Sequence, residues 1–161
     1  MSSTTEIGAT TFTTTSDREI AITRAFDAPR ALVWAACTDP KHVPNWYGPR
    51  GWSLPVCEID LRAGGAWRYV MRGPDGSEMA LGGVFQEVSP HDRLVTTESF
   101  DDYPGESLNT MTLTEQGGVT TMTTTVLYES REMRDAVIQS GMQGGAAETL
   151  DRLAEHLGSM S

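Results

Sequence analysis

The chain reads as an α+β fold: a curved antiparallel β-sheet wrapped around a long C-terminal α-helix, with two short helices after the first strand. Three observations predict it. Glu19–Phe26 alternates, with Ile20 and Ile22 on one side, and runs straight into helix-start residues. A series of alternating segments between residues 54 and 128 is punctuated by Gly, Pro and Asp turns and contains no helical stretch. The chain then closes on Arg131–Gly158, which is long enough to cross a domain.

Each element has its own reason. Residues 1–17, rich in Ser and Thr with little to bury, are expected to form a flexible leader. After the strand, Asp27-Ala-Pro-Arg30 offers an Asp cap and a proline near the first turn. Leu32, Val33 and Ala36 give the first short helix an apolar face. A second short helix begins at Asp39-Pro40 and is limited by Pro44. Strands are predicted over Leu54–Leu61, Ala66–Arg72, Met79–Val88, Arg93–Phe100, Ser107–Thr114 and Val119–Tyr128, joined at Ala63-Gly64-Gly65, Gly73–Gly76, Ser89–Asp92 and Glu115–Gly118. In the last strand Met122, Thr124, Val126 and Tyr128 share one face, and Thr121, Thr123 and Thr125 the other. Ser130 caps the final helix, where Leu150, Leu153, Ala154 and Leu157 sit at core spacing. Gly141, Gly144 and Gly145 weaken its first half, each by about 1 kcal/mol relative to alanine. One domain over residues 18–158 and a disordered tail at 159–161 complete the expected organisation.

Composition narrows the function. A length of 161 residues, 39% hydrophobic and 21% charged, suits one folded domain. A formal charge of -10 repels phosphate backbones, so no nucleic-acid partner is expected. No apolar run reaches the roughly 18 residues of a membrane span, and no secretion signal is read at the start. Two cysteines, Cys37 and Cys57, without CxxC spacing fit core positions in a reducing, cytoplasmic setting.

Several ordered motifs go further. Asp27-Ala-Pro-Arg30, Thr38-Asp-Pro40, Trp46-Tyr-Gly-Pro49, Asp60-Leu-Arg-Ala-Gly-Gly-Ala-Trp67, Met71-Arg-Gly-Pro-Asp-Gly76 and Gly83-Val-Phe-Gln-Glu-Val88 resemble the START-like (SRPBCC) superfamily. Within it they look like the branch named after the activator of the heat-shock-protein-90 ATPase, and Arg134–Met142 and Leu150–Leu153 extend the match over about residues 18–157. The resemblance implies a helix-grip fold with a cavity between sheet and helix. In related START-like proteins that cavity receives lipids, hormones or polyketides, and in some it performs hydrolysis or cyclisation. Where members of the branch often carry Trp, this chain has Gly144-Gly145-Ala146, a departure that implies a roomier or differently shaped cavity.

Chemistry-bearing residues are sparse. His42, His91, His156, Cys37 and Cys57 fall at no ligand spacing, so no metal or other cofactor is expected. His91 reads as a turn residue, and His156 as an exposed residue near the negative end of the last helix. No GxSxG elbow or phosphate-cradling loop is present. Among the strand acids, parity places Glu98 with Leu94 and Thr96, facing inward, and Glu58 and Asp60 facing water. A covered carboxylate of this kind is a candidate general base; its commoner role is to pair with an arginine such as Arg68 or Arg72. Trp46, Trp67, Tyr69, Met71, Met111 and Met122, with Val137, Gly141 and Met142 of the helix, are the candidate ligand-binding walls. The expected function is binding of an apolar or aromatic small molecule, with Tyr69 or Glu98 orienting a polar end; binding is preferred to catalysis. The alternatives are a hydrolase or cyclase using Glu98, and an interaction module docking a chaperone through an exposed Trp46–Arg50 segment. Homodimerisation stays open.

Overall fold

Every neighbouring strand pair in the sheet is antiparallel, as short turns between sequential strands dictate. The computed structural model describes residues 3–103 and 105–160. Its strands are β1 (Thr4–Ile7), β2 (Thr10–Ser16), β3 (Glu19–Phe26), β4 (Ser53–Ile59), β5 (Ala66–Arg72), β6 (Glu78–Ser89), β7 (Arg93–Phe100), β8 (Ser107–Gln116) and β9 (Val119–Leu127). They form one nine-stranded sheet in the order β1-β2-β3-β9-β8-β7-β6-β5-β4, with β1 and β4 at its two borders. Helix α1 (Arg30–Thr38) and a 3₁₀ turn (Val43–Asn45) connect β3 to β4.

The first departure from expectation is at the N-terminus. Residues 4–16, expected to belong to a mobile leader, form β1 and β2, which extend the sheet beyond β3. Threonine is a strong strand former, and one large apolar residue, Phe12, anchors the pair against Ile20 and Ala147. Met1 and Ser2 lie outside the described residues.

The second departure is the C-terminal helix, which is broken in two. Helix α2 (Arg131–Gln139) and helix α3 (Met142–Met160) meet at Gly141, whose φ of +81° is a left-handed conformation no helix interior tolerates. Ser130 caps α2 as predicted, its hydroxyl accepting from the Met133 N–H at 3.1 Å. Of the expected tail, Ser159 and Met160 belong to α3, and Ser161 lies outside the described residues.

Asp27 does not cap α1. The chain stays extended through Pro29, and the first helical amide, Arg30 N–H, donates to the Glu115 carboxylate of β8 at 2.8 Å. The second expected helix is only the single 3₁₀ turn, because Pro44 cannot propagate it.

The core lies on the inner face of the sheet in three clusters. Met111, Leu113 and Met122 pack beneath Leu150, Leu153 and Leu157 of α3 and against Phe26, Val33 and Trp46. Trp67, Tyr69, Met71, Leu81 and Phe85 form a second cluster with Leu54 and Val43. Phe12, Ile20 and Ala147 form the third.

Candidate functional site

The register of β5 to β9 decides what faces the helix. Met111, Leu113, Met122 and Val126 are buried, which identifies the inner parity. On β7 that parity carries Leu94, Thr96 and Glu98, paired with Met111, Asn109 and Ser107 respectively. Glu98 therefore points inward, as its position in the strand predicts. Beside it, Thr96, Asn109 and Thr124 are all half-buried although they occupy inner-face positions. The middle of the concave face is thus a polar, incompletely covered strip, flanked by the Met111–Met122 cluster on one side and the Trp67–Phe85 cluster on the other.

Glu98 lies within this strip. Its residue surface is only partly covered, yet protein surrounds it deeply. Desolvation pushes its carboxyl up from 4.5 to about 7, and a hydrogen bond from the Asn109 side chain opposes that rise. The expected arginine partners are engaged elsewhere: Arg68 pairs with Asp101 at 2.7 Å and Arg72 with Glu78 at 2.7 Å. Parity explains this, because Arg68 and Arg72 lie on the opposite face of β5 from Trp67, Tyr69 and Met71. Among the described residues no salt bridge reaches Glu98.

An aromatic wall stands next to the carboxylate. Tyr47 meets Tyr69 edge to face with ring centroids 4.9 Å apart, and Tyr69 meets Trp67 the same way at 4.9 Å. Gly83, opposite Trp67 on β6, lets the indole lie across that strand and donate from Nε1 to the Thr97 carbonyl at 3.1 Å. A methyl group on Gly83 would come within 1.9 Å of that same oxygen. Burial raises the phenols of Tyr47 and Tyr69 well above their ordinary value, and the Glu98 charge adds to both effects. Tyr128 is pushed up to about 12 by burial first and Glu98 second. Cys57, half-buried beside Tyr69, is raised to about 11 and Cys37 to about 12, both by desolvation, so neither is a poised thiolate.

Tyr47 owes its position to a segment strapped onto α3. Arg152 donates to the Gly48 carbonyl at 2.8 Å, to Pro49 O at 3.3 Å and to Tyr47 O at 3.5 Å. The Arg50 N–H donates to Glu148 at 3.1 Å, and its guanidinium pairs with Glu155. The Trp46–Arg50 segment is therefore not the exposed docking strip expected. Trp46 is buried, with Nε1 donating to Ala36 O at 2.9 Å, and Tyr47 faces inward onto Tyr69.

The remaining candidates are placed as follows. Met71, Met111 and Met122 are buried in the flanking clusters. Val137 is half-buried beside Phe12 and Ile20, Gly141 is the helix break, and Met142 is 49% exposed just beyond it. A side chain at Gly144 would meet open space, whereas one at Gly145 would press on Pro49 at 3.2 Å. Two shallow depressions are open to solvent. One, about 380 Å³, runs between α1 and the end of β4; the other, about 270 Å³, is lined by Thr97, Leu108 and Leu127 together with Ser107 and Tyr128 at the end of the strip.

Sequence reasoning missed Tyr47, Asn109, Tyr128 and Arg152. Asn109 was within reach, since it shares parity with Met111. It also missed a histidine pair: His156 is half-buried rather than exposed, and its Nε2 lies 3.1 Å from Nδ1 of His42. His91 is the expected turn residue, exposed and at φ +69°.

A bent, unclosed antiparallel sheet covered by C-terminal helices, with short helical connections after β3, defines the helix-grip class. The chain belongs to the family described as Activator of Hsp90 ATPase homolog 1-like protein, whose model matches residues 27–158. No curated protein matches the chain. Among solved structures, a protein of Rhodobacter sphaeroides is 32% identical, with a TM-score of 0.87, covering 93% of this chain and 99% of its own. A Mycobacterium smegmatis protein is 27% identical at a TM-score of 0.83, covering 99% and 100%. One from Nitrosomonas europaea is 25% identical at 0.83, covering 91% and 98%.

Proposed function

We propose that the protein binds an apolar or aromatic small molecule in the cleft between the sheet and its C-terminal helices. The observation that carries this reading is the half-exposed inner strip of Thr96, Glu98, Asn109 and Thr124, set between two aromatic and aliphatic clusters. An inner sheet face that remains partly uncovered, with a few polar groups beside apolar walls, has the make-up of a ligand site. Membership of a family whose fold suggests ligand binding supports it. Trp67 and Tyr69 supply the wall and Glu98 the polar contact. The free thiols Cys37 and Cys57 favour a reducing compartment. No helix among the described residues is long and apolar enough to cross a membrane.

Native mass spectrometry of the purified protein tests the reading. A co-purified small molecule, displaced by substitution of Trp67 or Tyr69, is expected. A ligand-free mass together with no uptake of a neutral fluorophore such as N-phenyl-1-naphthylamine would sink it.

A second reading keeps the same cleft and makes Glu98 a general base in hydrolysis or cyclisation. It is favoured by the carboxyl value of about 7, close to the working range of such bases. Glu98→Gln should then abolish turnover of an identified substrate while leaving its binding intact; unchanged turnover would eliminate the role.

A further inference from the structure

Glu98 has no salt-bridge partner among the described residues. Each cation whose side chain approaches the inner face is committed elsewhere. Arg24 of β3 pairs through Nη1 with Asp151 of α3 and lies over the Phe26 ring at 5.4 Å, while its buried Nε is unpartnered among the described residues. Arg152 of α3 is spent on the carbonyls of the Tyr47–Pro49 turn, and Arg134 of α2 on Asp135 and the Ser16 carbonyl. What lies near the carboxylate is neutral: Asn109 from β8, Tyr128 beyond β9, Tyr69 from β5, and Tyr47 from the strapped segment. Buried carboxylates are ordinarily paired, because desolvation of a lone charge is costly. The hydroxyls of Tyr47, Tyr69 and Tyr128 make no hydrogen bond among the described residues, so they too are available to a ligand.

We propose that the ligand carries a protonated or quaternary nitrogen, seated against the Glu98 carboxylate and the rings of Tyr47 and Tyr69, with its apolar body along Trp67. This deepens the small-molecule reading above and rests on it. An ammonium supplies the countercharge that no arginine provides, and stacked tyrosine and tryptophan rings attract cations through their electron-rich faces. The protein's charge of -10 draws cations toward it and repels anions, so the long-range field acts in the same direction as the site. Capture requires the carboxylate form. With the carboxyl at about 7, affinity for the cation rises from pH 6 to pH 8, while Tyr128 at about 12 and Cys57 at about 11 stay neutral throughout.

Two dansyl probes of matched size separate the possibilities: dansylcadaverine, which ends in an ammonium, and N-pentyl dansylamide, which ends in a methyl group. In fluorescence titrations the wild type at pH 8 should bind the ammonium probe about tenfold more tightly than the neutral one. That preference should vanish at pH 6 and in Glu98→Gln, and shrink in Tyr47→Leu. Circular dichroism and thermal unfolding report that each variant is folded. Equal affinity for both probes at pH 8, or a preference that survives Glu98→Gln, overturns the cation assignment and leaves the receptor reading standing. Failure of both probes to bind the wild type overturns the cleft itself, and the assignment with it. His156, lowered by burial and by the neighbouring His42, is a second pH-sensitive group, and any response it causes would persist in Glu98→Gln, which distinguishes it.

Discussion

Replacing Glu98 by Gln keeps the side chain's size and its contact with Asn109 but removes the charge that the cleft fails to neutralise. A carboxyl whose folded value is raised from 4.5 to about 7 contributes stability that is fully present below the unfolded value and lost as pH rises through the folded one. The shift corresponds to about 3 kcal/mol. Water reaching a half-exposed carboxylate softens the penalty, so about 2–3 kcal/mol is the working expectation. The Gln variant should therefore match the wild type near pH 4.5 and exceed it at pH 8. For a domain of this size the gain is about 4–12 °C in Tm. Thermal unfolding followed by circular dichroism at both pH values measures it, and the other carboxylates cancel because both proteins carry them. A Gln variant less stable at pH 8, or a difference indifferent to pH, would refute the claim that the cleft desolvates this group.

Three further perturbations follow from the surroundings of the cleft. Gly83→Ala drives a methyl group into the Thr97 carbonyl that holds Trp67, and should cost about 2–4 kcal/mol in urea unfolding; a loss under 1 kcal/mol would mean that β6 and β7 are not so closely apposed. Arg152→Ala removes the donor shared by the 47–49 carbonyls, and faster amide exchange confined to residues 45–50 is expected, with about 1–3 kcal/mol of lost stability. His156 is lowered from 6.5 by burial and by His42, so its contribution is present above 6.5 and lost as pH falls through the folded value. His156→Gln should flatten the stability profile between pH 5 and 7, and an unchanged profile would place the acid sensitivity elsewhere.

Much of this architecture is legible where side-chain alternation and turn glycines agree. Ala66–Arg72 and Arg93–Phe100 have the limits that their patterns predict, and the parity that placed Glu98 inward is the parity of the folded sheet. Legibility fails where one residue type serves two purposes. The threonines of 10–15 look like solvated leader and behave as strand, because Phe12 alone supplies the apolar anchor. Gly141 reads as a weak helical position, and its left-handed backbone becomes a break where Val137 and Ile138 of α2 and Ala147 of α3 pack on the same Phe12–Ile20 cluster. The His42–His156 contact and the Arg152 strap join residues more than a hundred positions apart, so no local pattern announces them. The central strip is legible only in part: parity puts Thr96 and Thr124 on the covered face, but their incomplete burial follows from tertiary packing and not from any local pattern.

Because the sheet never closes, its two borders meet solvent on unequal terms. Along Ser53–Ile59, Pro55 offers no amide hydrogen, and the pairing with β5 shifts between Ser53 and Val56. A foreign strand arriving there finds a missing donor and a misaligned ladder. Thr4–Ile7 has no such obstacle, so lateral growth by a second molecule, whether in a dimer or in an aggregate, would start from the N-terminal side.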